Sequence, residues 1–179
     1  MGVFAAPAAN SSPASDGSTN RQALAILDKW IKGIKIEQIA HFRTASWCNK
    51  RGRMLGLVVT GLSIVVGTSI FTGLAGSTNE TILVIAGGVS MVAAVFAGAH
   101  NFLNYSELST KHYSAGIKLG SLRKRAEEVR LFQEKNADLQ NAMKEIREEL
   151  GNIQEESPVI PQKFLDNAQK YVDEKEGKK

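Results

Sequence analysis

The sequence has a single cysteine, Cys48, so the chain cannot form an internal disulfide bond and offers no cysteine cluster for a metal ion. Its three histidines, His41, His100 and His112, stand far apart and lack paired carboxylates at the spacing of metal ligands. The glycines form neither a phosphate-binding loop nor a dinucleotide fingerprint, and no serine or aspartate lies in a nucleophile motif. We therefore expect no enzyme, no catalytic residue, no metal and no cofactor.

Strong charge of either sign is also lacking. The net charge is +4, which is weak evidence for nucleic-acid binding, and we expect none. The first 20 residues carry one charged side chain, Asp16, and are rich in Ala, Ser, Pro and Asn. They lack the basic residues and the long apolar run of a secretory signal. We predict a disordered tail over residues 1–20.

Two stretches, residues 54–74 and 82–103, contain no Asp, Glu, Lys or Arg and are predominantly apolar. At about 1.5 Å per residue, roughly 20 apolar residues cross the hydrocarbon core of a bilayer. The second stretch has one titratable residue, His100, within a turn of its end. The alternative is a pair of helices buried in the core of a soluble protein. The flanking segments are too polar to cover two such helices. We predict two transmembrane helices.

The segment between the spans, residues 75–81, is short and contains the turn formers Gly76, Ser77 and Asn79 and one charge, Glu80. So short a connection forces the helices to be antiparallel neighbours. Lysines and arginines resist translocation, so the basic flanks predict that both termini are cytoplasmic, without indicating which membrane is crossed. These flanking residues are Lys50, Arg51, Arg53, Lys111, Lys118, Arg123, Lys124 and Arg125.

Helical periodicity continues on both sides of the spans. Residues 21–53 predict an amphipathic cytoplasmic helix, and residues 104–155 predict one long helix whose apolar seam is interrupted at Phe132. The seam favours a coiled coil, either against the first helix or between subunits, and we expect self-association. Residues 156–179 predict a short amphipathic helix and a charged tail. The predicted fold is an all-α membrane protein: a two-transmembrane hairpin in residues 21–155 with cytoplasmic helices before and after it.

Small residues recur along both spans at helical spacing, which in lipid lets helices approach closely. Two interpretations of these stripes are open, and both can hold: the small residues pack the two helices of the hairpin together, or they line a narrow, weakly selective pore in an oligomer. Glu80 would form an outer ring of such an oligomer. The candidate pore-lining or packing residues are Gly56, Thr60, Ser63, Gly67, Gly87, Ser90, Ala94, Ala97 and Asn101.

The segment HNFLNYSELSTKHYSAGIKLGSLRKRAEE, residues 100–128, is similar to the post-membrane signature of the SLATT proteins. These are two-transmembrane effectors associated with nucleotide-synthesising and nucleotide-sensing domains. The approach to the first span, AHFRTASWCNKRGR, also resembles theirs, and the likeness covers roughly residues 22–155. Five residues match the signature and would act in gating or assembly: His112, Tyr113, Leu119, Leu122 and Arg125.

The resemblance implies an oligomeric membrane effector of a conflict or immune system, in a bacterial or fungal host. Its pore would kill or arrest the cell after a signal from a nucleotide-sensing or nucleotide-synthesising partner protein. Two alternatives stay open. One is a non-conducting anchor that recruits partners through its coiled coil, and the other is a physiological ion channel in which Glu80 matters.

Overall fold

A computed structural model describes residues 13–74, 80–132 and 136–177. Every regular element in these ranges is an α-helix, which confirms the predicted all-helical class. The helices are α1 (Pro13–Leu74), α2 (Glu80–Leu103), α3 (Tyr105–Leu131), α4 (Asn136–Glu156) and α5 (Gln162–Glu176). Two stretches of the helical chain, Asn20–Ser69 and Val84–Leu131, are each long and apolar enough to contain a membrane crossing.

The first helix, α1, is continuous over 62 residues and is about 93 Å long at the usual helical rise. The predicted amphipathic segment 21–53 and the predicted span 54–74 are therefore one rod, because no proline or turn sequence separates them. The helix begins at Pro13, inside the segment predicted to be a disordered tail. Proline at a helix start loses no backbone hydrogen bond. Residues 1–12 lie outside the described residues.

The junction between α2 and α3 is a single residue, Asn104, in the left-handed conformation (φ 36°, ψ 46°). Asparagine tolerates this conformation better than most residues. Its side-chain oxygen accepts a hydrogen bond from the backbone N–H of Glu107 at 3.4 Å and so caps α3. The apolar helix thus ends at Leu103, and beyond Asn104 the chain continues along α1 as α3. At its other end α2 begins at Glu80, which the sequence analysis placed in the loop; residues 75–79 lie outside the described residues.

The prediction of one long helix over residues 104–155 is wrong. Helix α3 ends at Leu131, Phe132 leaves the helical conformation, and α4 begins at Asn136. Ion pairs between Arg125 and Glu149 (3.1 Å) and between Lys118 and Glu156 (2.6 Å) show that α4 runs back along α3. The interrupted seam at Phe132 was the sequence signal for this turn.

Helices α3, α4 and α5 pack with the first half of α1 as a four-helix bundle in which successive helices alternate in direction. Lys32 on α1 pairs with Asp173 on α5 at 2.8 Å, and Ala168 and Val172 of α5 are fully buried. The apolar seam is therefore buried inside one chain, against α1, and not between subunits. The core residues are Leu27, Ile34, Leu119, Leu122, Ala126, Leu139, Ile146 and Ile153.

Candidate functional site

A buried histidine pair joins α1 to α3 in the half of the bundle nearest the apolar helices. The Nδ1 atoms of His41 and His112 are 2.9 Å apart, so one ring donates its N–H and the other accepts it. The side chains are only 3% and 1% exposed. His41 and His112 are 71 residues apart along the chain, and the fold brings them into contact. They meet because α3 runs antiparallel to α1 and packs against it.

Two other buried side chains, Thr44 and Cys48, follow His41 on α1. The hydroxyl of Thr44 donates to the carbonyl of Ala40 at 2.8 Å, and the Cys48 thiol is buried and free. Burial lowers the pKa of His41 to about 4, with the proximity of His112 as a second cause. Burial also lowers the pKa of His112. Both rings are therefore neutral at pH 7.

The described residues bring no three His, Cys, Asp or Glu side chains together as a metal site. Among the described residues no carboxylate hydrogen-bonds to either ring, as a nucleophile–base arrangement would need. Its geometry supports a structural link between α1 and α3 whose strength depends on both rings being neutral.

The other residues predicted for gating or assembly hold the bundle together. Leu119 and Leu122 are fully buried in its core. The guanidinium of Arg125 lies between the carboxylates of Glu145 and Glu149 on α4. Tyr113 is exposed, and its ring centre is 5.5 Å from that of Phe42. These contacts all lie within one chain.

A cluster of aromatic and basic side chains lies where the bundle meets the first apolar stretch. The ring of Trp47 on α1 contacts Tyr105 at the start of α3 and Phe164 at the start of α5, at centroid distances of 5.8 and 6.1 Å. Arg51 and Lys163 both lie over the Trp47 ring, at 5.5 and 4.7 Å. Arg51 was predicted only as a basic flank of the first span, and Lys163 could not be predicted here, because nothing local in the sequence connects residue 163 with residue 47.

The apolar helices extend beyond the bundle with their large side chains exposed. Neither of the two apolar windows has a residue that is buried within the described part of the chain. An exposed apolar surface of this extent indicates a lipid or protein environment. The exposed side chains are Met54, Leu57, Val58, Ile64, Val65, Val84, Ile85, Met91, Val92, Val95, Phe96, Phe102 and Leu103.

The predicted small-residue stripes divide into a packed end and an open part. A Cβ atom on Gly56 would lie 3.7 Å from Nε2 of His100, so α2 approaches α1 closely there. A Cβ atom on Gly67 or Gly87 would meet nothing within 4 Å. The hydroxyls of Thr60, Ser63 and Ser90 each donate to a carbonyl of their own helix, at 2.8 to 2.9 Å. The exposed members of the stripes are Thr60, Ser63, Gly87, Ala94, Ala97 and Asn101, and Glu80 is exposed at the start of α2.

No protein-family model, curated protein or solved structure matches the chain. The resemblance to the SLATT proteins therefore stays a prediction.

Proposed function

We propose that the chain is an integral membrane protein whose subunits assemble through their two apolar helices into a gated pore that arrests or kills the cell. In this proposal the apolar parts of α1 and α2 form a transmembrane hairpin, and the bundle and both termini lie in the cytoplasm. A nucleotide-sensing or nucleotide-synthesising partner protein supplies the trigger, as the resemblance to the SLATT effectors implies.

One observation carries the proposal: small and hydroxyl-bearing side chains are exposed on the apolar helices, whereas the bundle buries its own seam. The exposed Ala94, Ala97 and Asn101 share one face of α2, at spacings of three and four residues. Small residues at this spacing allow close helix contact between subunits in lipid. Since their polar groups are few and uncharged, a pore that they line would select weakly among solutes.

The alternative of a non-conducting anchor is less well supported. That hypothesis required the seam of the long helix to recruit partners, and the seam residues Leu119, Leu122 and Ile146 are buried within the chain. The third hypothesis, a physiological ion channel, depends on Glu80, which is exposed at the start of α2. Glu80→Gln is expected to change ion preference in such a channel and to have little effect on a weakly selective pore.

The deciding experiment is the leakage of a small dye from liposomes that contain the full chain, over a range of protein-to-lipid ratios. We expect leakage to rise steeply with protein density. Ala97→Leu with Asn101→Leu is expected to abolish leakage, because the added bulk prevents close contact. Val92→Leu with Val95→Leu is the matched control, since at about 100° per residue these positions lie on the opposite side of α2.

Absence of leakage at every density, even with subunits cross-linked, would overturn the pore and leave the membrane anchor. Insertion is tested separately by alkaline carbonate extraction. A membrane protein stays in the pellet, and release of the chain into the supernatant would overturn the transmembrane hairpin itself.

A further inference from the structure

Four exposed cations lie at the end of the bundle nearest the apolar helices, two of them over the ring of Trp47, and we name the four the basic collar. Three of them, Lys50, Arg51 and Arg53, lie within two turns of α1, directly before the first apolar residue, Met54. The fourth is Lys163, in the first turn of α5. Lys163 comes from the far end of the chain because α5 begins beside Trp47, where the Phe164 ring also packs.

The basic collar carries uncompensated positive charge. In the part of the chain that the structure describes, none of its four cations pairs with a carboxylate. Several other cations of the bundle do pair with a carboxylate of another helix, as Lys32 does with Asp173 at 2.8 Å and Lys118 with Glu156 at 2.6 Å. The four unpaired cations of the collar therefore give a positive patch at the end of the bundle where Trp47 lies.

The arrangement of the two central cations is set by protein contacts. The guanidinium of Arg51 is 5.5 Å and the ammonium of Lys163 is 4.7 Å from the centre of the Trp47 ring. Lys163 also lies 4.9 Å from the centre of the Phe164 ring. Contact with an aromatic ring does not neutralise a cation, so both side chains keep their charge for an external anion.

The position of the collar along α1 indicates which anion is available. Since α1 continues without a break from Arg53 into its apolar stretch, the collar lies at the level of lipid headgroups when that stretch is in a bilayer. Tryptophan and basic side chains are enriched at this level, and anionic lipids attract basic groups there. The positive charge of the collar is complementary to a phosphate headgroup, and the collar lies at the level where such headgroups are found.

We propose that the basic collar binds the headgroups of acidic phospholipids, with Arg51 and Lys163 as its central pair. Because these two residues belong to α1 and α5, a bound headgroup links the C-terminal helix to the first span. The inference rests on the membrane insertion part of the proposed function and is independent of pore formation.

The test uses the full chain in a neutral detergent, in a Trp30→Phe background that leaves Trp47 as the single tryptophan. Micelles are enriched stepwise with phosphatidylglycerol or with phosphatidylcholine, and Trp47 emission is recorded. We expect a saturable change with phosphatidylglycerol and a much weaker one with phosphatidylcholine. Each neutralised cation is expected to weaken apparent affinity about fivefold, and Arg51→Gln with Lys163→Gln about 25-fold.

The matched control is Lys29→Gln with Lys170→Gln, which removes the same charge from exposed positions of α1 and α5 outside the collar. This variant is expected to bind phosphatidylglycerol nearly as the parent does. Circular dichroism checks that both double variants keep their helix content, and added salt is expected to weaken the parent's binding. Should the collar variant unfold, the salt response and the headgroup preference of the parent still decide the question.

Three results would overturn the proposal: equal responses to the two lipids, an equal loss in the control variant, or an equal response to inorganic phosphate, which would indicate a simple ion site. The outcome is separable from that of the pore. Dye leakage without headgroup preference rejects the collar alone, and headgroup preference without leakage rejects the pore alone.

Discussion

At the scale of single residues, the pairing of His41 with His112 makes the bundle sensitive to acid. Each ring is buried, so a proton on either one brings a charge into the interior, and a proton on the accepting Nδ1 also removes the acceptor of their hydrogen bond. The pKa of His41 is lowered to about 4 in the folded chain, whereas an unfolded histidine has its usual value near 6.5. Between these values the unfolded chain binds more protons, so stability falls as the pH falls.

We predict that the free energy of unfolding of the bundle decreases by about 2 kcal/mol from pH 7 to pH 5 through His41. The measurement is chemical unfolding in detergent at half-unit pH steps, followed by circular dichroism. The window is specific, because the carboxylates with lowered pKa, Glu107, Glu156 and Asp173, take up protons only at lower pH.

The variant for this prediction replaces both His41 and His112 by asparagine, whose amide hydrogen-bonds without titrating in this range. Its stability is expected to stay nearly constant between pH 7 and pH 5. His100→Asn is the control, since His100 is exposed and the buried pair remains intact. An equal decrease in the double variant and the parent would show that the pair is not the origin of the effect.

That His41 and His112 lie close together could have been predicted from the sequence. Contacts between α1 and the returning chain, such as Phe42 with Gly116 and Gly52 with Tyr105, are centred close to residue 78, the middle of the predicted loop 75–81. A hairpin that folds at that loop places His41 opposite the region of His112. The hydrogen bond itself was not predictable, because it depends on the rotation of each helix about its axis.

At the scale of elements, α1 and α3 approach closely where α3 has glycine. A Cβ atom on Gly116 would lie 2.8, 3.0 and 3.1 Å from three carbons of the Phe42 ring. At Gly120 it would meet Nε2 of Gln38 at 2.6 Å. The two positions lie one turn apart, but their obstacles differ: one is a packed ring, and the other is the end of a flexible side chain.

We predict that Gly116→Ala and Gly120→Ala change the stability of the bundle in different ways. Alanine favours a helix over glycine by up to about 1 kcal/mol at either position. At Gly116 the displaced ring costs about 1–3 kcal/mol, so a net loss is expected. At Gly120 the Gln38 amide swings away, so the change is near zero or favourable. Thermal unfolding measures both, and equal shifts would contradict the packing of Phe42 on Gly116.

The helices themselves were predictable, but the connection between α3 and α4 was not. Long periodic segments indicate helices directly, and uncharged stretches of about 20 residues indicate lengths that can cross a membrane. No proline or glycine lies at Phe132 or in the few residues after it, so only the interrupted seam suggested a turn. The antiparallel packing of α4 on α3 depends on tertiary contacts. It is favoured because it buries Leu139 and Ile146 in the same core as Leu119.

At the scale of the whole molecule, α1 belongs to two environments at once. Its first half is a member of the bundle, the apolar window before Ser69 has no buried residue, and no break separates the two. Cys48 lies in the bundle half, 1% exposed and six residues before Met54. Burial raises the pKa of its thiol, so reaction with a thiol reagent requires the bundle to open around it.

Cys48 therefore reports whether the pore opens with the bundle intact. The exposed small residues proposed for subunit contact lie on the apolar helices, outside the bundle core, so we predict that dye leaks while Cys48 stays protected. Its reaction with a membrane-permeant maleimide is expected to be about 100-fold slower than in the unfolded chain, with or without leakage. Cys48→Ser with Ser46→Cys is the matched control, because position 46 is exposed two residues away and should react fast throughout. A labelling rate that rises together with leakage would show instead that α1 leaves α3 when the pore opens, and that the bundle is itself the gate.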